Sequence, residues 1–196
     1  MMARTGTVTR KTTETNIVLS LLIDGTGSYK IATAIGFFDH MLELMAKHGL
    51  MDLSCTCSGD LHIDGHHTVE DVGICLGQAI SQALVNKQSI KRYGTAFIPM
   101  DEALVMVSID ISGRPFLSFD TSFTNSMVGN FDTQLVEEFF RALSIHAGIT
   151  VHIHTLYGNN THHIIEAMFK AFGKAFHDAS STDSKVQGLP TTKGLL

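Results

Sequence analysis

Two short segments carry residue types that can do chemistry. "DGHHTVEDVG" (Asp64–Gly73) and "NTHHIIEAMF" (Asn160–Phe169) each hold two adjacent histidines, with a glutamate three residues after the second. Imidazole and carboxylate ligands without thiolate suit Mn, Fe, Co, Ni or Zn and do not choose among them. On a helix, successive side chains point about 100° apart, because about 3.6 residues complete a turn. His66 and His67 therefore face different centres, and so do His162 and His163. Residues three or four apart share a face, so Glu70 can join either His67 or His66, and Glu166 can join either His163 or His162. Two motifs, each aimed two ways, suggest two metal ions that each draw ligands from both motifs. Symmetry within the chain or contacts between subunits would bring them together. Three or four protein ligands per ion would leave positions open, the pattern of a catalytic rather than a structural site. The same donors would serve a dinuclear hydrolase with a bridging hydroxide. They would equally serve a non-catalytic protein whose ions only staple subunits together.

The motifs recur because the chain is written twice. His162 minus His66, His163 minus His67 and Glu166 minus Glu70 each give 96. Upstream, "GFFDHMLELMAKHGL" has its counterpart in "LVEEFFRALSIHAGI", where Glu138 minus His40 and His146 minus His48 each give 98. A two-residue difference in the intervening loop reconciles the offsets. The expected units are residues 1–92, residues 93–182 and a tail, 183–196.

Each half reads as strands, helix, strand and long helix. "NIVLSLLID", "MDLSCTC", "EALVMVSIDI" and "ITVHIHTLY" have strand character. Phe38, Met41, Leu42 and Met45 recur at helical spacing, as do Val69, Val72, Leu76 and Ile80, and Ile165, Met168, Phe169 and Phe172. The expected fold is α+β by internal duplication, with helices on one face of a sheet in each half. Asp39 is the expected N-cap of the first helix, with His40 beside it as a candidate ligand; His48 falls near its C-terminus. Glu14 sits at a polar strand end. Lys47, Lys87 and Lys91 read as surface charge, while Arg92, Arg114, Lys170 and Lys193 are scattered along the chain.

Composition narrows the class. A net charge of −5 argues against a general nucleic-acid binder, which needs clustered Lys and Arg. No apolar run reaches the roughly 20 residues that span a bilayer, and the N-terminal residues lack the apolar core of a signal peptide. The three cysteines have no zinc-site spacing, and Cys55 and Cys57 alternate onto one strand face as small core residues. The expectation is a reduced, cytoplasmic protein with no membrane partner.

Over nearly its whole length the chain resembles the imidazoleglycerol-phosphate dehydratase family of histidine biosynthesis. The segments that carry the resemblance are "TTETNI", "GFFDHML", "KHGL", "DGHHTVEDVG", "RYG", "MDEAL", "DISGRP", "NTHHIIEAMFKAF" and "LPTTKG". The resemblance implies a duplicated fold, a 24-subunit homo-oligomer built from trimers, and two Mn2+ ions per active site at subunit contacts. Its implied ligands are His40, His66, His67, Glu70, His162, His163 and Glu166. Glu14 and His48 would line the reacting carbons, while Arg92, Arg114, Lys170, Thr191 and Lys193 would meet the phosphate. The implied reaction turns imidazoleglycerol phosphate into imidazole acetol phosphate and water through a diazafulvene-like intermediate, with the metals on the imidazole ring. The chain departs from the family pattern at four positions. Glu138 stands where many members carry a histidine ligand, and glutamate can still coordinate. Gly65 replaces an aspartate, Leu44 a glutamine and Thr191 a serine. His152 matches a family histidine that is either a ligand or a neighbour of one.

Overall fold

In β2 (Thr15–Leu22), Ile17, Leu19 and Leu21 turn inward while Asn16, Val18 and Ser20 turn out, the period-two alternation of a sheet with one covered face. The computed structural model describes residues 3–194. Its elements are β1 (Thr5–Lys11), β2 (Thr15–Leu22), β3 (Tyr29–Ala32), α1 (Gly36–Gly49), β4 (Asp52–Gly59) and α2 (His66–Ala83). They continue with β5 (Tyr93–Met100), β6 (Ala103–Asp110), β7 (Phe116–Asp120), β8 (Met127–Val128), β9 (Phe131–Asp132), α3 (Leu135–Ala147), β10 (Thr150–Tyr157) and α4 (Thr161–Ser180).

The duplication is visible in the hydrogen bonding. One sheet has the order β1-β2-β4-β3 and the other β5-β6-β10-β7, and in each the last pair is parallel. Within the strands the halves match at an offset of 88 through β1–β3: the pair Val8↔Leu19 becomes Ala96↔Val107. From α1 onward the offset is 98, because the β8–β9 hairpin lengthens the second half. From the long helices onward it is 96, because six residues separate β4 from α2 where three separate β10 from α4, whose first residue, Thr161, precedes His162. The expected two-residue difference lies there.

The helices fill the space between the sheets. Within each half the sheet is covered by its own two helices, and across the halves α1 packs on α4 and α2 on α3. The helical stripes expected from spacing are all buried, together with Cys55, Cys57 and Cys75. The cysteines are free, and burial pushes the Cys55 thiol up to about 12, so it packs as a small hydrophobe. Among the described residues no helix is long and apolar enough to cross a membrane.

Two readings are corrected. Asp39 is not the N-cap of α1: the helix begins at Gly36, with Ile35 in the cap position. The Asp39 carboxylate instead accepts the Thr33 N–H (2.8 Å) and hydroxyl (2.5 Å), pinning the turn that feeds the helix. Lys87 is half-buried rather than a surface charge, and that burial lowers its pKa.

Glycines set how closely sheet and helix approach. A Cβ on Gly6 would collide with the Ala79 carbonyl of α2, and one on the equivalent Gly94 with the Ala175 carbonyl of α4. Gly94→Ala should destabilise the protein by about 2 kcal/mol, the usual scale of overpacking. Gly36→Ala, where nothing lies within 4 Å, should be neutral or mildly stabilising. Denaturant midpoints of the two variants check this contrast.

Candidate metal centre

The site begins with a helix cap. Asn160 caps α4, its Oδ1 accepting the backbone N–H groups of His162 (3.0 Å) and His163 (3.4 Å). Its counterpart Asp64 accepts the His66 N–H at 2.8 Å. Both histidine pairs thus start a helical turn, and their rings diverge as helix geometry requires. The ring planes of His162 and His163 are 83° apart, those of His66 and His67 81°.

The first histidine of each pair turns to the glutamate four residues on. His162 Nε2 lies 3.2 Å from Glu166 Oε2, and His66 Nε2 lies 3.7 Å from Glu70 Oε2. The packing of α1 on α4 adds His40, whose Nε2 is 3.8 Å from Glu166 Oε2. One ligand atom from each of His40, His162 and Glu166 lies within 4.8 Å of the others, and among the described residues these are the only three so assembled. Glu166 is only 7% exposed. Burial pushes its carboxyl up, but Lys170 (Nζ 2.5 Å from Oε1) and His162 outweigh that and keep it below the usual range. Two imidazoles and a charged carboxylate at one half-open rim fit a divalent transition ion and leave room for more ligands.

The first half repeats this incompletely. Glu138 is His40's counterpart, but it lies toward Arg141 (3.9 Å) rather than in such a cluster with His66 and Glu70. His66 lines a cleft of about 350 Å³ with Ile35, Phe131 and Leu135, closed on one side by the β8–β9 hairpin. A Cβ on Gly65 would press on Ile35 and Leu135 (3.2 and 3.3 Å), so an aspartate side chain would crowd this wall. Asp71, although inside the motif, is no candidate ligand. It is buried, held by Arg10 (2.9 Å) and the Thr15 hydroxyl (2.5 Å), and ties α2 to the first sheet.

The second histidines meet carboxylates that motif reading passed over. His67 Nδ1 is 2.9 Å from Asp60 Oδ2, while its Nε2 is 3.8 Å from Glu14 Oε1. His163 Nδ1 is 2.7 Å from Glu102 Oε2, while its Nε2 is 3.9 Å from Asp101 Oδ2. Glu102 also accepts the backbone N–H groups of Asn159 (3.2 Å) and Asn160 (2.7 Å). Hydrogen bonds from His163 and these amides pull Glu102 down to about 2, while the carboxylate partners Asp60 and Glu102 raise His67 and His163. The offset of 88 between Glu14 and Glu102, within the "MDEAL" segment, is a sequence signal that flags Glu102.

The remaining candidates are spread out. His48 lies eight residues beyond His40 on α1, about 12 Å along the axis at about 1.5 Å per residue. Burial lowers its pKa, with Lys170 and Lys174 adding to the effect. Arg92 holds Asp110 (2.7 Å), donates to the Pro190 carbonyl (2.9 Å) and stacks on Tyr93, so the tail reaches it. Arg114 is exposed, 3.9 Å from Asp110, and the Thr191 hydroxyl accepts the Lys193 N–H. The Arg92 N–H bonds the Ala179 carbonyl at the far end of α4 from His162. That is 17 residues on, about 25 Å. Lys170 instead sits at the metal-ligand cluster. The exposed His152 is on the outer face of the second sheet, beside Phe116 and away from the ligand helices of its own chain.

Comparison with known proteins follows this geometry. The family model described as "Imidazoleglycerol-phosphate dehydratase" matches residues 33–176. The enzyme of that name from Acetivibrio thermocellus is 61% identical over 195 residues, covering 100% of both chains. That of Ruminiclostridium cellulolyticum is 59% identical, over 98% of this chain and 100% of the other. The crystal structure of the Staphylococcus aureus enzyme superposes with a TM-score of 0.83 at 43% identity, over 91% of this chain and 99% of that one. The Pyrococcus furiosus structure gives 0.82 at 36%, over 96% and 100%.

The Glu102–His163 pair generates a pH prediction. The depressed carboxyl stabilises the fold above its ordinary value of 4.5 and loses that contribution as pH falls toward about 2. The raised imidazole contributes below 6.5 and loses its share as pH rises through its folded value. The metal-free protein should therefore gain most from the pair between 4.5 and 6.5, modestly because both groups are solvated. Denaturation midpoints should fall off less steeply on either side of this range in Glu102→Gln than in the wild type.

Proposed function

Because the chain belongs to the imidazoleglycerol-phosphate dehydratase family, we propose that it dehydrates imidazoleglycerol phosphate to imidazole acetol phosphate, a hydro-lyase step of histidine biosynthesis. The observation that carries this reading is the convergence of His40, His162 and Glu166 on one rim from opposite halves of the chain. Two Mn2+ ions per active site would be held by His40, His66, His67, Glu70, Glu138, His162, His163 and Glu166. Such ions would act as Lewis acids that favour the electron-rich, deprotonated form of the substrate's imidazole.

The chain's own groups do the rest. The proton to be lost from the glycerol chain has no carbonyl beside it, so enolate formation cannot assist. The ring instead expels the neighbouring hydroxyl, giving a diazafulvene-like species. Loss of the adjacent proton makes an enol that becomes the ketone, and the balance is one water. Glu14, solvated and facing His67 Nε2, is assigned that proton, with His48 as its partner acid or base. Arg92, Arg114, Lys170, Thr191 and Lys193 are assigned to the phosphate, and His152 to another copy's site, as a ligand or a neighbour of one.

Distance supports an oligomer. About 25 Å of α4 separates Arg92 from the metal-ligand cluster of its own chain, farther than a three-carbon phosphate can reach from its ring. On this reading a second copy brings its Arg92 and its tail to the first copy's histidines. The proposed assembly is the family's 24-mer of trimers, in a cytoplasmic setting. The proposed units remain residues 1–92, 93–182 and a phosphate-binding tail, 183–196.

With Mn2+ and imidazoleglycerol phosphate the protein should release imidazole acetol phosphate, detected by its absorbance in alkali. Release of inorganic phosphate would point to a hydrolase. Neither product, with chelator-sensitive assembly, would leave only a stapling role. Glu14→Gln should keep its metal and lose about 10²- to 10⁴-fold in turnover. Size-exclusion chromatography should show the large shell breaking down on chelation.

A further inference from the structure

Glu14 and Glu102 occupy the same place in the duplicated fold. The β1–β2 turn is Thr13–Glu14 between the paired Thr12 and Thr15, and the β5–β6 turn is Asp101–Glu102 between the paired Met100 and Ala103. Each glutamate is the second residue of its turn, and each faces the second histidine of a helical pair. They face it differently. Glu102 is on the Nδ1 side of His163 at 2.7 Å, tied also to two backbone amides. Glu14 is on the Nε2 side of His67 at 3.8 Å, and its carboxylate has no hydrogen-bond donor among the described contacts. The Nδ1 side of His67 is taken by Asp60, with both carboxylate oxygens in reach at 2.9 and 3.2 Å. Asp60 belongs to the longer β4–α2 connection; the tighter β10–α4 connection has Gly158 at the equivalent position, 98 residues on.

An ionised carboxylate only accepts, so Nδ1 carries the proton, and in the neutral ring that binds metal Nε2 presents its lone pair. A carboxylate behind a ligating histidine fixes both the tautomer and the ring's direction. We propose that Asp60 and Glu102 are positioning residues that hold His67 and His163 with Nε2 toward metal, and that Asp60, by taking this task, leaves Glu14 free for the reacting atoms. The two halves have thus diverged in what one turn glutamate does. This inference rests on the metal-dependent reading above.

The test is Mn2+ binding to the metal-stripped full chain, followed by calorimetry, with 15N solid-state spectra of labelled histidine reporting the tautomers. Asp60→Ala and Glu102→Ala should each lose about 10- to 100-fold in affinity, the usual cost of removing such a carboxylate, with loss of the Nδ1–H signature. Glu14→Ala, at the equivalent turn position, should keep wild-type affinity and lose turnover. Asp60→Asn and Glu102→Gln should recover part of the affinity, because the amide oxygen still accepts from Nδ1–H. A merely structural role would lower the melting temperature without moving the tautomer signals. The inference is overturned if Asp60→Ala and Glu102→Ala bind Mn2+ like the wild type with unchanged tautomers, or if Glu14→Ala weakens binding as Glu102→Ala does. A wild-type chain that binds no Mn2+ would instead overturn the metal reading, and this inference with it.

Discussion

Everything at the metal-ligand cluster depends on the crossing of helices from opposite halves. Gly173 of α4 lets the helix lie against the Met45 carbonyl and Gly49 of α1, and Gly77 of α2 lies likewise against the Leu143 carbonyl and Ala147 of α3. These contacts are themselves repeats, at offsets of 96 and 98. A larger residue would push the helices apart and widen the 3.8 Å gap that lets His40 meet Glu166. Helix packing tolerates no such shift without leaving voids or clashes, so the core fixes the cluster's geometry.

Charge is arranged around that frame. Glu166 is buried yet kept ionised by Lys170 and His162, a carboxylate ready to ligate without first losing a proton. The second histidines look away from this cluster and are backed by acids from loops. Arg92 and the tail it holds stand at the far end of α4, while Lys170 stays beside Glu166.

Duplication copies a scaffold more faithfully than it copies a site. The β1–β2 and β5–β6 pairs agree residue for residue in register, and Asp64 and Asn160 each accept the N–H of the residue two places on. The positions nearest the chemistry differ: His40 against Glu138, Glu14 against Glu102, Asp60 against Gly158. Backbone pairing constrains every residue of a strand, whereas a rim side chain is constrained only by what it binds.

The sequence by itself determined the duplication, the α+β class, the helical stripes that form the core and the division of each histidine pair between two directions. All of these follow from local periodicity, and a period is written along the chain. Spacing leaves Glu70 open to His66 or His67, and in the structure the i,i+4 partner His66 is the nearer, as His162 is for Glu166. Asp39 read as a cap because it precedes an apolar run, yet the helix starts earlier because the Thr33–Asp39 bond fixes the turn. Asp60 lies in no motif, and Asp101 and Glu102 lie in "MDEAL" with nothing local to tie them to a histidine, since a carboxylate recruited from a loop can come from any sequence separation. The distance between Arg92 and the ligands is likewise a property of which end of α4 each contacts. Such facts depend on through-space contacts between distant residues, and only the tertiary structure decides them.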